Sequence, residues 1–401
     1  MVEKSTATLL LAAGREKPVL NRHPWVFSGA TARVQGHPQP GDLVEIAAHD
    51  GRPLALAYYN PRSQIQARVL TWEVGRPLDE AFWRGLLERA LAGRAALQLE
   101  PATTAYRLVN AEADGLPGLI VDRYGDYLVI QCLTLGVERR KEMLVALLAE
   151  LIKPAGILER SDVNVRAKEG LSETAGLRWG QSPPADLVVL ENGHRMRVNL
   201  QEGHKTGLYL DQRDNRAIVG QARFVAGRDV LNVFAYTGGF ALYAASEAQT
   251  ITNVDSSAAL LQQAEENMRL NGHERPQDEY VAGDAFQILR HYRDGGRAFD
   301  VVILDPPKFV HHQGDLERAS RGYKDLNWLA LRLLRPGGLL ATFSCSGLVS
   351  AELFQKIVFG AAVDAHRDAQ VIQPLSQAAD HPILLTFPES AYLKGLLCRV
   401  W

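Results

Sequence analysis

The sequence predicts a multi-domain chain that ends in a doubly wound, Rossmann-like α/β sheet, preceded by an N-terminal β-rich module and a central α+β region. Three observations predict it. A length of 401 residues exceeds one ordinary core. Beyond Gln181-Ser182-Pro183-Pro184 the pattern becomes strand, glycine-rich turn and helix, repeated. Two of the later apolar runs also end in chemically competent side chains: Val301-Val302-Ile303-Leu304 runs into Asp305, and Gly338-Leu339-Leu340-Ala341 runs into Thr342-Phe343-Ser344-Cys345-Ser346-Gly347. In an open α/β sheet the ends of neighbouring strands face one crevice, so this carboxylate and this thiol are expected to share a site.

Composition narrows the classes. The hydrophobic content, 46%, is that of a folded globular protein. The sequence has no run of eighteen apolar residues and no secretory signal at its start, which predicts neither membrane insertion nor export and points to the cytoplasm. Cys132, Cys345 and Cys398 are too few and too scattered for a disulfide framework or a zinc cluster, so no metal is expected. The formal net charge of -2 argues against a large non-specific nucleic-acid surface. Residues 1 to 76 nonetheless carry nine Lys and Arg against six Asp and Glu, a local excess suited to phosphates or to simple solvation.

The elements follow in order. In the first 76 residues Thr31-Ala32-Arg33-Val34 and Leu43-Val44-Glu45-Ile46 read as strands, with Gly41-Asp42 and Asp50-Gly51 as turns. The segment Arg15 to Gly29 interleaves cations with Trp25 and Phe27, which fit either a base-stacking surface or the core. From 77 to 184 the expectation is a helix over about Leu78 to Leu97, strands and turns over Ala105 to Thr134, a helix over about Glu138 to Leu151, and a strand at Gly156 to Arg160. Cys132 lies in an apolar run and reads as a core thiol, as does Cys398 in Leu396-Leu397-Cys398-Arg399-Val400. From 185 to 401, strands are expected at Val230 to Val233, Thr250 to Val254, Tyr280-Val281, Val301 to Leu304 and Leu339 to Ala341, with a helix over about Ala258 to Asn271.

The strand ends suggest a nucleotide-like ligand. Phe234-Ala235-Tyr236-Thr237-Gly238-Gly239 is a glycine turn after the first strand, and Asp255 closes the second, where a carboxylate accepts from both ribose hydroxyls. The turn lacks the full G-x-G-x-x-G that a dinucleotide pyrophosphate favours, and S-adenosylmethionine fits it better. Asp284, after the third strand, is placed to meet an adenine amino group. Asp305-Pro306-Pro307-Lys308, after the fourth, is placed at a target base.

Several motifs together resemble a known family: Thr206-Gly207-Leu208-Tyr209-Leu210-Asp211-Gln212-Arg213, the turn at Ala235 to Phe240, Asp305-Pro306-Pro307-Lys308-Phe309, Phe343-Ser344-Cys345-Ser346-Gly347, and the tail Ala379-Asp380-His381-Pro382 with Tyr392-Leu393-Lys394-Gly395. They look like the bacterial 23S ribosomal RNA cytosine-5 methyltransferases of the large subunit methyltransferase I family. Gly14-Arg15-Glu16-Lys17 and Arg22 to Gly29 resemble that family's PUA domain. The resemblance implies a class I methyltransferase domain, S-adenosylmethionine as cofactor, and 23S ribosomal RNA as partner, with neither membrane nor metal, in a monomer or homodimer. It implies Cys345 as the nucleophile adding to cytosine C6, Asp305 on the pyrimidine edge and beside the cofactor, and Pro306, Pro307 and Lys308 in the substrate pocket. Tyr209, Asp211, Phe234, Tyr236, Thr237, Gly238, Asp255 and Asp284 would hold the cofactor.

Two rivals remain at this stage. A methyltransferase acting on an exocyclic base nitrogen also suits an Asp-Pro-Pro turn and needs no thiol. An RNA-binding assembly factor retaining the fold without turnover is the other. His204-Lys205 and the pair His311-His312 read as loop or RNA-facing residues, since adjacent histidines do not face one metal.

Overall fold

The computed structural model describes residues 7–201, 207–310 and 313–401. His204, Lys205, Thr206, His311 and His312 lie outside them, as do Glu3 and Lys4. The chain divides into two compact units, one drawn from residues 1–190, 198–210 and 379–390, the other from 191–197, 211–378 and 391–401.

The first unit holds two sheets. Six strands pair in the spatial order Trp25–Phe27, Ile65–Thr71, Pro53–Tyr59, Leu43–Ala47, Thr8–Leu11 and Thr31–Gln35. Leu9, Leu11, Val26, Val44, Ile46, Ala57 and Val69 form a core there. A five-stranded sheet follows, in the order Thr174–Gly180, Gly156–Ser161, Tyr127–Cys132, Leu119–Tyr124 and Ala105–Asn110. Helix Glu80–Ala95 begins where the Asp79 side chain accepts from Phe82 N, which satisfies one of the unpaired amides of a helix start. Its Trp83 is 1% exposed and stacks on Tyr58 with centroids 6.1 Å apart. Leu43, Leu56, Tyr58 and Leu70 of the first sheet thus pack in one cluster with Trp83, Leu108 and Leu148 of the central region. The sequence reading missed the strands Pro53–Tyr59 and Ile65–Thr71. The first opens on proline and is apolar throughout, and the second is interrupted by Gln66 and Arg68, so both give a weak period-2 signal.

The second unit is an α/β sheet. Its strands are β1 (Asp229–Val233), β2 (Thr250–Asp255), β3 (Glu279–Ala282), β4 (Phe299–Leu304), β5 (Leu334–Ser344), β6 (Ala369–Ser376) and β7 (Lys394–Val400). They lie in the order β3-β2-β1-β4-β5-β7-β6. All neighbours are parallel except β7, which is antiparallel to both β5 and β6. Helices α1 (Gly239–Ala244), α2 (Ala258–Leu270), α3 (Ala285–Asp294), α4 (Leu316–Leu333) and α5 (Ala351–Ala365) lie along the chain between strands. Leu231, Val302 and Leu340 from the strands meet Leu289, Leu326 and Phe354 from α3, α4 and α5 in one core, which explains why these strands read as continuous apolar runs. The order reverses between β1 and β4, and ligands of open α/β sheets bind at such a switch point.

β5 is longer than the three apolar residues that marked it. It runs from Leu334 through Pro336-Gly337-Gly338 to Ser344. A side chain at Gly338 would stand 2.8 Å from Arg335 O and 2.9 Å from Asp300 O, so only glycine lets the strand pass there. Among the described residues no helix is long and apolar enough to cross a membrane.

Candidate active site at the strand ends of the second unit

The ends of β1, β2, β4 and β5 supply the site. After Val233 the chain enters a loop in which Phe234, Tyr236 and Gly238 all have positive φ, 62°, 51° and 79°. Left-handed backbone at two aromatic residues costs on the order of 1–3 kcal/mol each and persists where its surroundings enforce it. Asp255, the last residue of β2, enforces it here: Tyr236 N donates to its Oδ2 (2.9 Å) and Ser257 N to its Oδ1 (3.0 Å). A carboxylate has about four acceptor positions, so two stay compatible with a vicinal diol. Asp255 therefore shapes the loop, a role apart from the ribose contact expected of it from the sequence.

The glycines have a packing role that sequence alone did not show. A Cβ on Gly238 would lie 2.8 Å from the Ala264 Cβ of α2, and one on Gly239 would lie 2.8 Å from Arg216 Cδ. Their absence of side chains seats the loop against its neighbours. Thr237, 2% exposed, carries a buried hydroxyl with no hydrogen-bond partner among the described residues, while its carbonyl accepts from Asn267 Nδ2 (3.0 Å). A buried, unpaired hydroxyl on a strained glycine loop beside a half-buried carboxylate fits a polar ligand such as S-adenosylmethionine. Asp284 caps α3: its Oδ1 accepts from Gln287 N (2.9 Å), and the residue is exposed. Asp211 is 5% exposed, with Oδ2 accepting from Tyr392 Oη (2.8 Å) and its carbonyl from Ala378 N (2.8 Å). Tyr209 belongs to the first unit and is half-buried.

Asp305 stands one residue beyond β4, half-buried, and Gln212 Nε2 donates to its Oδ1 (2.9 Å). Gln212 is itself held by Asn215 Nδ2, which donates to its Oε1 (2.6 Å). Pro306 is buried, and Pro307 and Lys308 are exposed. Leu304 pairs with Thr342 across the parallel β4–β5 ladder, so Asp305 and Cys345 leave adjacent strands on the same edge of the sheet.

Cys345 follows the last ladder residue, Ser344, and is half-buried. Its loop is built from both sides. Ser344 Oγ donates to Tyr323 Oη of α4 (3.0 Å), and Tyr323 Oη and Ser346 Oγ share a hydrogen bond (3.1 Å), so one phenol ties the serines on either side of the cysteine. Burial pushes the Tyr323 hydroxyl above its ordinary range, which keeps it a neutral donor and acceptor. The ring of Phe309 packs on Tyr323 at 4.8 Å. From β7, Lys394 Nζ donates to Ser346 O and Val349 O, both at 2.7 Å.

The other two thiols are chemically quiet. Cys132 and Cys398 are each 1% exposed, and burial pushes both up to about 12. Cys132, Glu138 and Glu159 are close enough together to hold an ion. Lys141 pairs with both carboxylates, Arg166 with Glu138 and Arg178 with Glu159, so cationic side chains already meet those acids. In the first unit, Trp25 is half-buried, with Nε1 donating to Glu112 Oε1 (2.7 Å), whereas Phe27 is 48% exposed. One of the two aromatics faces solvent.

Gln212, Tyr323 and Lys394 were not singled out by chemistry in the sequence. Gln212 and Lys394 lay inside quoted motifs, and the one local signal that could have marked either is a lysine heading the apolar run Gly395-Leu396-Leu397. Tyr323 reads there as an ordinary core aromatic of a helix.

Comparison with known proteins agrees with this architecture. A PUA-like domain model matches residues 9–72, and an S-adenosylmethionine-dependent methyltransferase model matches residues 170–367. The chain is 52% identical over 392 residues to the ribosomal RNA large subunit methyltransferase I of Shewanella amazonensis, covering 98% of each. It is 47% identical over 401 residues to the protein of the same name from Klebsiella pneumoniae, covering 100% of each. A solved structure of a candidate SAM-dependent methyltransferase from Streptococcus mutans superposes with a TM-score of 0.84 at 23% identity, covering 98% of this chain and 99% of that one. A second, a candidate methyltransferase complexed with SAH, superposes with a TM-score of 0.85, also at 23% identity, with the same coverage.

Proposed function

Because this chain belongs to the ribosomal RNA large subunit methyltransferase I family and is S-adenosylmethionine-dependent, we propose that it methylates C5 of a cytidine in 23S ribosomal RNA, with Cys345 as covalent nucleophile. The observation that carries this reading is the exit of Cys345 from β5 beside that of Asp305 from β4, at one edge of the sheet. A methyltransferase for exocyclic nitrogens has no use for a thiol on that loop, whose flanking residues Tyr323 and Lys394 hold.

The chemistry follows from the weakness of cytosine C5 as a nucleophile. The Cys345 thiolate adds to C6, and N3 takes up a proton while Asp305 hydrogen-bonds the pyrimidine edge; C5 thereby becomes enamine-like. S-adenosylmethionine, when bound, supplies an electrophilic sulfonium methyl. Once C5 carries the methyl group, loss of the C5 proton to solvent restores the C5–C6 double bond and expels the thiolate, and N3 gives its proton back to solvent. On this reading Asp255, Thr237 and the loop Phe234 to Gly238 hold the nucleoside part of the cofactor, Asp284 the adenine edge, and Tyr209 and Asp211 its methionine end. Pro306, Pro307 and Lys308 line the approach of the base. The exposed Phe27 and the exposed cations Arg15, Lys17 and Arg22 give the amino-terminal module a surface for RNA stacking and phosphate contact.

The test is transfer of a radiolabelled methyl group to ribosomal RNA, followed by nucleoside analysis. Label recovered as 5-methylcytidine supports the reading. Label on an exocyclic nitrogen, or no transfer, contradicts it.

A further inference from the structure

A lysine is an unusual occupant of the inside of a sheet, and Lys394 is 8% exposed. It opens β7, and in the antiparallel ladder it lies directly opposite Ser344, the residue before Cys345. Its ammonium has three N–H groups. Two are spent on the carbonyls of Ser346 and Val349, at 2.7 Å each, so the side chain grips the loop immediately after Cys345. These two bonds fix the ammonium on that loop and account for two of its three N–H groups.

The geometry points to Lys394 as the positioning residue of Cys345: it anchors the strand-exit loop and supplies the positive charge that favours the thiolate. The proposal rests on the reading of Cys345 as nucleophile. The thiol proton leaves to solvent, and Lys394 acts as a charge rather than as the base that takes it.

The charges around the pair are consistent with this. Lys394 is held down at about 8, chiefly by burial, with an ionised Cys345 acting to raise it and Lys308 adding to the lowering. Interaction between two titrating groups is reciprocal, so a Cys345 that favours the charged lysine is itself favoured as thiolate by that lysine. The other ionisable groups at the loop are Asp305 at the end of β4, which Gln212 holds, and Tyr323 from α4, which burial keeps neutral. Lys308 is exposed and can be drawn away by an RNA phosphate, whereas Lys394 is fixed by two carbonyls.

The test measures alkylation of Cys345 by iodoacetamide across pH, read by peptide mass mapping, in the full chain without RNA. The wild-type rate should rise through a midpoint below that of a free cysteine thiol. In Lys394→Gln the midpoint should move to higher pH and the rate at pH 7 should fall about ten-fold, because alkylation follows the thiolate fraction. Lys394→Arg should restore part of the rate, and S-adenosylhomocysteine affinity by calorimetry should stay unchanged in both. An identical pH profile in wild type and Lys394→Gln would overturn the proposal. Should Lys394→Gln fail to fold, the wild-type profile decides alone: a midpoint at or above that of a free cysteine would overturn the role. Methyl transfer by Cys345→Ala would instead sink the nucleophile reading and leave the measured coupling standing.

Discussion

Cys345 just beyond β5 and Cys398 inside the neighbouring β7 belong to one sheet region, and the difference between them shows how the fold places a side chain. Cys398 sits inside the β5–β7 ladder opposite Leu340, packed among Val400, Leu396 and the helices of the core. Burial alone pushes its thiol up to about 12, so at neutral pH it behaves as a small hydrophobe. Cys345 lies one residue past the end of the same ladder, half-buried, between serines tied by Tyr323 and beside an ammonium tied by two carbonyls. The residue type is the same. Interior position removes one thiol from reaction, and the strand exit offers the other to a ligand.

The largest expected effect breaks the comparison on the reactive side. Cys345→Ala should lower methyl transfer by at least about 10⁴-fold, the scale of removing a covalent nucleophile, while cofactor affinity is retained. Single-turnover assays together with calorimetry check both halves. Retained turnover would mean that the strand-exit thiol is incidental.

Asp255→Ala comes next. Losing hydrogen bonds to a charged group costs roughly 1.5–3 kcal/mol, which is about ten- to hundred-fold in cofactor affinity. The loop from Phe234 to Gly238 also loses the anchor at Tyr236 N, so the loss should fall at the upper end of that range. Calorimetry with S-adenosylhomocysteine measures it, and unchanged affinity would remove Asp255 from the cofactor site.

The smallest effect sharpens the quiet side. Cys398→Ala should retain turnover and cost roughly 1 kcal/mol of stability, since it removes one buried sulfur from a packed core. The pH dependence has a definite sign. A thiol raised to about 12 in the folded state ionises first in the unfolded chain, so between its ordinary range and about 12 the unfolded state holds fewer protons, and stability falls as pH rises. That alkaline loss should be smaller in Cys398→Ala than in wild type, as thermal melts at pH 8 and pH 10 will show. Equal alkaline losses would mean that Cys398 is not protected by burial.

Much of the second unit was legible because each strand end is marked locally. Val233 through Phe234-Ala235-Tyr236 into Thr237-Gly238-Gly239, Val254 into Asp255, and Leu304 into Asp305-Pro306-Pro307 are apolar runs that stop at polar or turn-forming residues, which is how a buried parallel strand announces its end. The strand-exit position of Cys345 and the buried positions of Cys132 and Cys398 were readable on the same ground. What escaped was tertiary. Tyr323 reaches Ser344 and Ser346 from 21 and 23 residues away, and Lys394 reaches Ser346 from 48 residues away, so no local pattern joins them. The second task of Asp255, holding Tyr236 N, depends on backbone geometry that residue types do not encode. The close packing of Gly238 against Ala264 and of Gly239 against Arg216 is likewise tertiary.

The central claim is covalent catalysis by the thiol at the exit of β5, and trapping tests it most directly. RNA carrying 5-fluorocytidine at the target position, incubated with the protein and S-adenosylmethionine, should form a complex stable to denaturation, because fluorine at C5 cannot leave as a proton does. Peptide mapping should place the RNA on Cys345, and the adduct should persist in Cys132→Ala and Cys398→Ala while vanishing in Cys345→Ala. A covalent complex that survives in Cys345→Ala, or efficient 5-methylcytidine formation by that variant, would contradict the account.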